Sequence, residues 1–261
     1  MVAGLRDLFS ATYRTPRRHG LKAEFEAEGA RFDDLVAYSN IAHASGVPLV
    51  IKIGGCEAVS DLFSARLLGA GKIVAPMVES TFAVRKFVSA VTDVYGEDRS
   101  DWPQLYFNIE TERSAGESEE LLATAKEVGL DGVVVGRGDL AESMGLARNE
   151  VDSAPVTALV HRVLANARRH GLGCGMGGGV STRTIATVRS FVDEGVLDFF
   201  ETRKVLISAA DAPSEADLRS EILVALKFEL RWLEYKRDVY ARIVSEDDAR
   251  IERLGTELER G

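Results

Sequence analysis

Short apolar runs bounded by turn residues alternate along most of this chain with longer stretches in which apolar positions recur at helical spacing. The short runs predict strands near Leu21–Glu28, Pro48–Ile53, Lys72–Val78, Gln104–Glu110, Gly132–Val135, Leu172–Met176 and Leu197–Val205. The longer stretches predict helices over Arg31–Ala44, Glu57–Leu68, Phe82–Val94, Ser118–Val128, Pro155–His170 and Ser181–Glu194. Gly46, Gly69, Gly129, Gly171 and Gly195 follow five of these helices, where a glycine cap ends a helix most easily. A strand and helix in strict alternation imply a parallel sheet, and its most economical closure is a TIM-type (β/α) barrel, an α/β fold. No eighth strand is obvious. A lead-in from Leu5 to Tyr13 reads as helix, followed by basic Arg14, Arg17 and Arg18, and either fills that slot or plugs the barrel floor.

Period-two alternation sorts each strand into an outward row facing the helices and an inward row facing the barrel interior. In the first strand Leu21, Ala23, Phe25 and Ala27 form the outward row, so Lys22, Glu24, Glu26 and Glu28 point inward. Leu105, Phe107 and Ile109 likewise turn Asn108 and Glu110 inward, and Val50 and Lys52 are inward on the second strand. Charges inside a barrel are tolerable only when paired or when they bind an ion. One reading is a web in which Lys22, Lys52 and Arg203 neutralise the glutamates. Near the strand tips function is the better reading, because barrel sites lie at that end.

From about Asp211 the alternation stops and the chain reads as charged helix. Ser214 and Asp217 have capping-box spacing, and Ile222, Leu226, Leu230 and Leu233 form one apolar stripe. Ser245 with Asp248 marks a possible second helix start. The expected organisation is a lead-in over 1–20, a barrel over 21–210 and a long C-terminal helical extension over 211–261. The extension's distal part, with Trp232, Tyr235 and Tyr240, is expected to reach a neighbouring subunit or fold back.

The 261 residues are 46% hydrophobic, enough for one large core, and the net charge is −9. That balance argues against nucleic acid or an anionic membrane as a general partner. Only Cys56 and Cys174 are present, the start lacks a secretory apolar core, and no apolar run is long enough to span a membrane, so a cytoplasmic location is expected.

Two stretches carry candidate chemistry: Asn108-Ile109-Glu110-Thr111 and Gly136-Arg137-Gly138-Asp139-Leu140. Each ends an apolar run with an acid just ahead of a helix. Parallel neighbours lie about 4.8 Å apart, so Glu110 and Asp139 are placed to share one Mg²⁺ or Mn²⁺ through oxygen ligands. The alternative is that Glu110 caps the turn that follows it and Asp139 a short helix through Ala141-Glu142-Ser143-Met144. The run Gly173-Cys174-Gly175-Met176-Gly177-Gly178-Gly179 is either an anion-binding loop or a tight turn that lets backbones approach, the second being favoured. Cys56 reads as a packing residue. His43, His161 and His170 fall within or at the ends of helices and His19 precedes the first strand, so none is expected to reach a substrate.

These stretches, with Pro48-Leu49-Val50-Ile51-Lys52 and Val74-Ala75-Pro76-Met77-Val78-Glu79, resemble the HpcH/HpaI aldolase and citrate lyase β-subunit family of the phosphoenolpyruvate/pyruvate barrel superfamily, from about Lys22 to Leu206. The resemblance implies that Glu110 and Asp139 hold a divalent cation, which chelates the carboxylate and keto oxygens of pyruvate or oxaloacetate. It also implies a homo-oligomer, trimeric or hexameric, whose last barrel helix passes to a partner. Two departures stand out. Lys52 replaces the family's arginine, keeping the charge but losing the two-pronged grip, and Arg137, where proline is usual, is a candidate for the missing fork. Ala27-Glu28-Gly29 stands where the family places a histidine base, leaving Glu26, Glu28 or a metal-bound water to move the proton. The expected activity is a metal-dependent carbon–carbon lyase or synthase acting on a 2-oxo acid and an aldehyde or acyl partner. Lys52 would balance the enolate charge, with Gly136, Arg137 and Gly138 binding substrate. The alternatives are a metal-independent phosphate-recognising barrel enzyme and a non-catalytic oligomeric barrel that has lost its base.

Overall fold

A computed structural model describes residues 19–25 and 28–260, together with Gly4, Leu5 and Asp7. Most of the expected lead-in, and Glu26, therefore lie outside the described residues. Eight strands close a barrel in sequence order: β1 (Gly20–Glu24), β2 (Leu49–Lys52), β3 (Lys72–Ala75), β4 (Gln104–Ile109), β5 (Gly132–Gly136), β6 (Gly173–Gly177), β7 (Phe199–Glu201) and β8 (Val205–Ser208). The first seven pair in parallel. The eighth does not: β8 runs antiparallel to both β7 and β1, pairing Glu201 with Leu206 and Gly20 with Leu206.

That corrects two expectations. The run Leu197–Val205 is not one strand, because Thr202-Arg203-Lys204 turns the chain back at the barrel mouth, and Thr202 and Val205 bond across the turn (Thr202 N to Val205 O, 2.9 Å). The returning strand, not the lead-in, fills the eighth slot. The first strand also stops at Glu24, so Glu28 lies in a turn beyond it rather than on its inward row.

The helices that follow the strands are α1 (Phe32–Ala44), α2 (Val59–Leu67), α3 (Thr81–Tyr95), α4 (Glu112–Gly116), α5 (Ser118–Glu127), α6 (Arg137–Ser143), α7 (Ala154–Arg169) and α8 (Ile185–Asp193). Gly46, Gly69, Gly129, Gly171 and Gly195 all have φ between 67° and 79°, the left-handed caps expected from their positions. Leu21, Ala23, Leu105, Phe107 and Ile109 join the large core between strands and helices. Val50, Val74, Tyr106, Val134, Phe199 and Leu206 form a separate cluster inside the barrel. The inward and outward rows thus follow the predicted alternation.

Beyond β8 the chain forms one helix, α9 (Glu215–Arg260), with no break at Ser245. Asp217 N donates to Ser214 Oγ at 3.1 Å, the expected start. The buried face is Leu218, Ile222, Ala225, Phe228 and Trp232. Of the predicted stripe only Ile222 is on it; Leu226, Leu230 and Leu233 are exposed. The aromatic side chains win the packing. Tyr38 of α1 meets the rings of Phe228 and Trp232 at 6.0 and 4.9 Å, Tyr235 stacks on Trp232, and Tyr240 bonds Asp34. Trp232, Tyr235 and Tyr240 therefore pack on the chain's own barrel wall. The remainder of the helix extends roughly 30 Å further at 1.5 Å per residue.

Candidate active site

Two adjoining cavities, ≈ 280 and ≈ 340 Å³, open at the strand tips and share Glu24, Lys52, Glu110 and Asp139 in their walls. Glu110 follows β4, whose register puts Asn108 opposite Val134 and turns both inward. Its carboxylate is held from three sides. Met77 N donates to Oε1 at 2.8 Å, Asn108 Nδ2 donates to Oε2 at 2.8 Å, and Lys52 Nζ stands 3.5 Å from Oε2. Met77 has φ 49°, a left-handed conformation that a side chain disfavours, at the residue whose amide meets the glutamate. A Cβ on Gly136 would lie 2.6 Å from Glu110 Oε2, so β5 must end in glycine for this carboxylate to fit. Thr111 caps α4 and donates to both Glu79 oxygens at 3.0 and 2.9 Å, tying two neighbouring strand tips together. Glu110 is thus no helix cap. Neither is Asp139, which sits in the first turn of α6 without a capping bond and has Arg148 Nη2 3.3 Å from Oδ1.

Beside this pair lies the expected charge web. Lys22 Nζ is 2.9 Å from Glu24 Oε1 and also pairs with Glu201. Burial alone would lower the Lys22 amine, but Glu201 and Glu24 hold it above its ordinary value. Burial would likewise raise Glu24, but Lys22 keeps it below the usual carboxylate range. Both stay charged. Two buried oxygens in this region, Asn108 Oδ1 and Glu201 Oε2, have no hydrogen-bond partner.

The glycine run belongs largely to β6. A Cβ on Gly175 would come 2.3 Å from the Phe199 ring, one on Gly173 2.4 Å from Tyr106 Oη, and one on Gly177 2.8 Å from Glu201 Oε1. The alternate glycines therefore make room for the interior side chains of neighbouring strands, the close-approach reading. Gly178 and Gly179 continue into the loop and line the ≈ 280 Å³ cavity.

The model of the HpcH/HpaI aldolase/citrate lyase family matches residues 27–195. The chain belongs to the HpcH/HpaI aldolase/citrate lyase family. No curated protein matches it. Similar solved structures include an HpcH/HpaI aldolase/citrate lyase family protein from Burkholderia cenocepacia J2315 (19% identity, 90% of this chain and 91% of that one, TM-score 0.63). An HpcH/HpaI aldolase from Desulfitobacterium hafniense DCB-2 is 18% identical, over 76% of this chain and 80% of that one, with TM-score 0.61. The citrate synthase SbnG is 14% identical over 77% and 81%, with TM-score 0.62. At identities this low the likeness establishes a shared fold. Membership of the HpcH/HpaI family supports a lyase-type enzyme.

The HpcH/HpaI family generally depends on a divalent ion. Among the described residues no group of three or more His, Cys, Asp or Glu side chains is arranged to hold a metal. What fits is a sparser, all-oxygen set: the carboxylates of Glu110 and Asp139 on one cavity, beside the unpartnered Asn108 Oδ1. Hard oxygen donors with vacant positions suit Mg²⁺ or Mn²⁺, which keep water or substrate among their ligands.

Within this HpcH/HpaI barrel the other expected residues are distributed as follows. Lys52, Gly136 and Gly138 line the cavity. Arg137 does not: its fully buried guanidinium donates to Gly177 O (3.3 Å), Gly178 O (2.8 Å) and Asp152 Oδ1 (2.7 Å), bracing the two loops that carry Asp139 and the glycines. Glu28 is paired with Lys204, with Arg203 at 3.8 Å, and is absent from the cavity wall. Glu26 lies outside the described residues. His161 and His170 pair with Glu194 and Glu119 at 2.7 and 2.9 Å on the outer helices, His43 Nε2 meets Gly69 O at 3.4 Å, and His19 stands 3.5 Å from Glu221. Among the described residues no histidine lines the cavities. Burial and Glu57 push the Cys56 thiol up, the opposite of activation. Sequence reasoning missed Met77, whose backbone matters rather than its side chain, and Arg148 and Glu229, which join the wall from a loop and a distant helix.

Proposed function

We propose that this protein makes or breaks a carbon–carbon bond next to the keto group of a 2-oxo acid such as pyruvate or oxaloacetate, through an enolate. The observation that carries this reading is the convergence of Glu110, Asp139 and Lys52 on one cavity at the strand tips. Glu110 and Asp139 would hold Mg²⁺ or Mn²⁺, which supplies Lewis-acid polarisation of the keto group. Lys52, partly buried and 3.5 Å from Glu110, offsets negative charge developing on the substrate oxygen. As a point charge it orients that oxygen less strictly than an arginine fork would. The backbone amides of Gly136 and Gly138 are the candidates for orienting the carboxylate, and Arg137 fixes their loop from behind. The electrophile would be an aldehyde or acyl compound.

The test is proton NMR of pyruvate in deuterated buffer, following methyl exchange with and without Mn²⁺. Metal-dependent exchange that Glu110→Gln abolishes supports enolisation at this site; exchange that survives chelation and the substitution removes the proposal. A homo-oligomer is part of the same reading. From Leu230 onward α9 leaves Leu230, Leu233, Val244, Ile251, Leu254 and Leu258 exposed, more apolar surface than a solvated helix needs. Light scattering that returns a monomer of 28.4 kDa would remove that part.

A further inference from the structure

An enolate-forming enzyme of this family without a histidine in its cavity must move protons by another group. Proton transfer needs a side chain that reaches the substrate and is free to change charge. Carboxylates held by cations or by N–H donors fail the second condition. Glu24 is held by Lys22, Glu201 by Lys22, Glu110 by Asn108, Met77 and Lys52, and Asp139 by Arg148. Glu28, at the family's histidine position, is held by Lys204 and lies off the wall.

Among the described residues, one acid on the wall is different. Glu229 projects from α9 into the ≈ 280 Å³ cavity that contains Glu110 and Asp139. It is half-buried, and no hydrogen bond or ion pair to another described residue holds it. We propose that Glu229 is the general acid–base of this enzyme, a role supplied from the C-terminal helix rather than from the first strand. This rests on the function proposed above.

The electrostatics agree with the geometry. Burial raises the Glu229 carboxyl above its ordinary value, with Lys204 and Arg203 pulling it down and Glu28 pushing it up. A carboxyl raised toward neutrality is the better proton carrier at neutral pH. In exchange, the Glu229 carboxylate takes a proton from the carbon beside the keto group. That C–H bond breaks, its electron pair moves to the keto oxygen as enolate, and Glu229 becomes neutral. Solvent replaces the proton, and Glu229 returns it to the carbon as the keto group re-forms. In the cleavage direction the same carboxylate takes the hydroxyl proton while the carbon–carbon bond breaks, leaving an aldehyde and the enolate.

Two assays on the full-length protein with Mn²⁺ separate this claim from the broader one. Oxaloacetate decarboxylation needs enolate stabilisation but no base, since carbon dioxide leaves with its own bond broken and water can protonate the product. Pyruvate methyl exchange needs both. Glu229→Gln is expected to slow exchange by about 100-fold or more while lowering decarboxylation by less than about 10-fold. Glu229→Asp is expected to restore part of the exchange and to shift its acidic pH limb. Exchange unchanged in Glu229→Gln, or both reactions falling by the same factor, overturns the role of Glu229 and leaves the lyase reading standing. A wild-type protein that performs neither reaction overturns both.

Discussion

The mouth and the floor of this barrel are walled by the same eight strands, yet they solve opposite problems. At the mouth the inward positions are charged: Lys22 and Glu24 on β1, Lys52 on β2 and Glu201 on β7, with Glu110 just past β4. At the floor they are Val50, Val74, Tyr106, Phe199 and Leu206, with Lys72 as the charged exception. The mouth charges line an open cavity, and nearly every one has a partner within a few ångströms. Lys72 is clamped between rings instead, its Nζ 3.9 Å from the Tyr106 centroid and 4.3 Å from that of Phe199. Burial pulls its pKa down to about 8 despite Glu201, Asp131 and Asp198 nearby. The contrast teaches where this molecule keeps charge for chemistry and where a charge is a burden on stability.

Four substitutions break or sharpen that contrast. The largest effect is at the mouth: Glu110→Gln should lower kcat/KM by about 1000-fold or more while changing unfolding free energy by only about 1 kcal/mol, because the amide keeps a comparable shape. Steady-state kinetics and urea unfolding read the two numbers. Next, Arg137→Met should destabilise the fold by about 3 kcal/mol, leaving Gly177 O, Gly178 O and Asp152 without their donor. It should lower activity through KM and kcat together as the loops loosen.

At the floor, Gly175→Ala should cost about 2 kcal/mol, since its Cβ would meet the Phe199 ring at 2.3 Å, with little change in activity once folded. The smallest effect has the opposite sign. Lys72→Met should stabilise the protein by about 1 kcal/mol at pH 7, the relief of burying an ammonium less the lost cation–π contact. The sign of the pH dependence follows from the lowered pKa. Between pH 8 and 10.5 the unfolded lysine keeps its proton while the folded one has lost it, so wild-type stability rises through that window. The advantage of Lys72→Met should shrink over the same range, and urea titrations at pH 7, 9 and 10.5 would show it. A constant gap would mean that the floor amine is no burden.

The floor and walls were legible because strict alternation in Leu21–Glu24 and Leu105–Glu110 leaves only one way to bury the apolar row. The glycine spacing in β6 was also meaningful, since Gly173 and Gly175 make room for the Tyr106 and Phe199 rings and Gly177 for the Glu201 carboxylate. The eighth strand was not legible. Three residues, Thr202 to Lys204, reverse the chain without glycine or proline, so the apolar run reads straight through the turn. The covering face of α9 was misjudged for a related reason: leucines at helical spacing outnumber Phe228 and Trp232, but the rings bury more surface against Tyr38. At the site, Glu110 and Asp139 stood out as acids at strand tips. The left-handed Met77 and the inward Glu229 did not, because one depends on a backbone angle and the other on how a distant helix docks.

The central claim, that Glu110 and Asp139 act as one ion site, is tested most directly by calorimetric titration of Mn²⁺ into the wild type, Glu110→Gln and Asp139→Asn. The account predicts one site per chain in the wild type, weakened at least about 100-fold in each variant while circular dichroism is unchanged. Equal binding by all three proteins would contradict it.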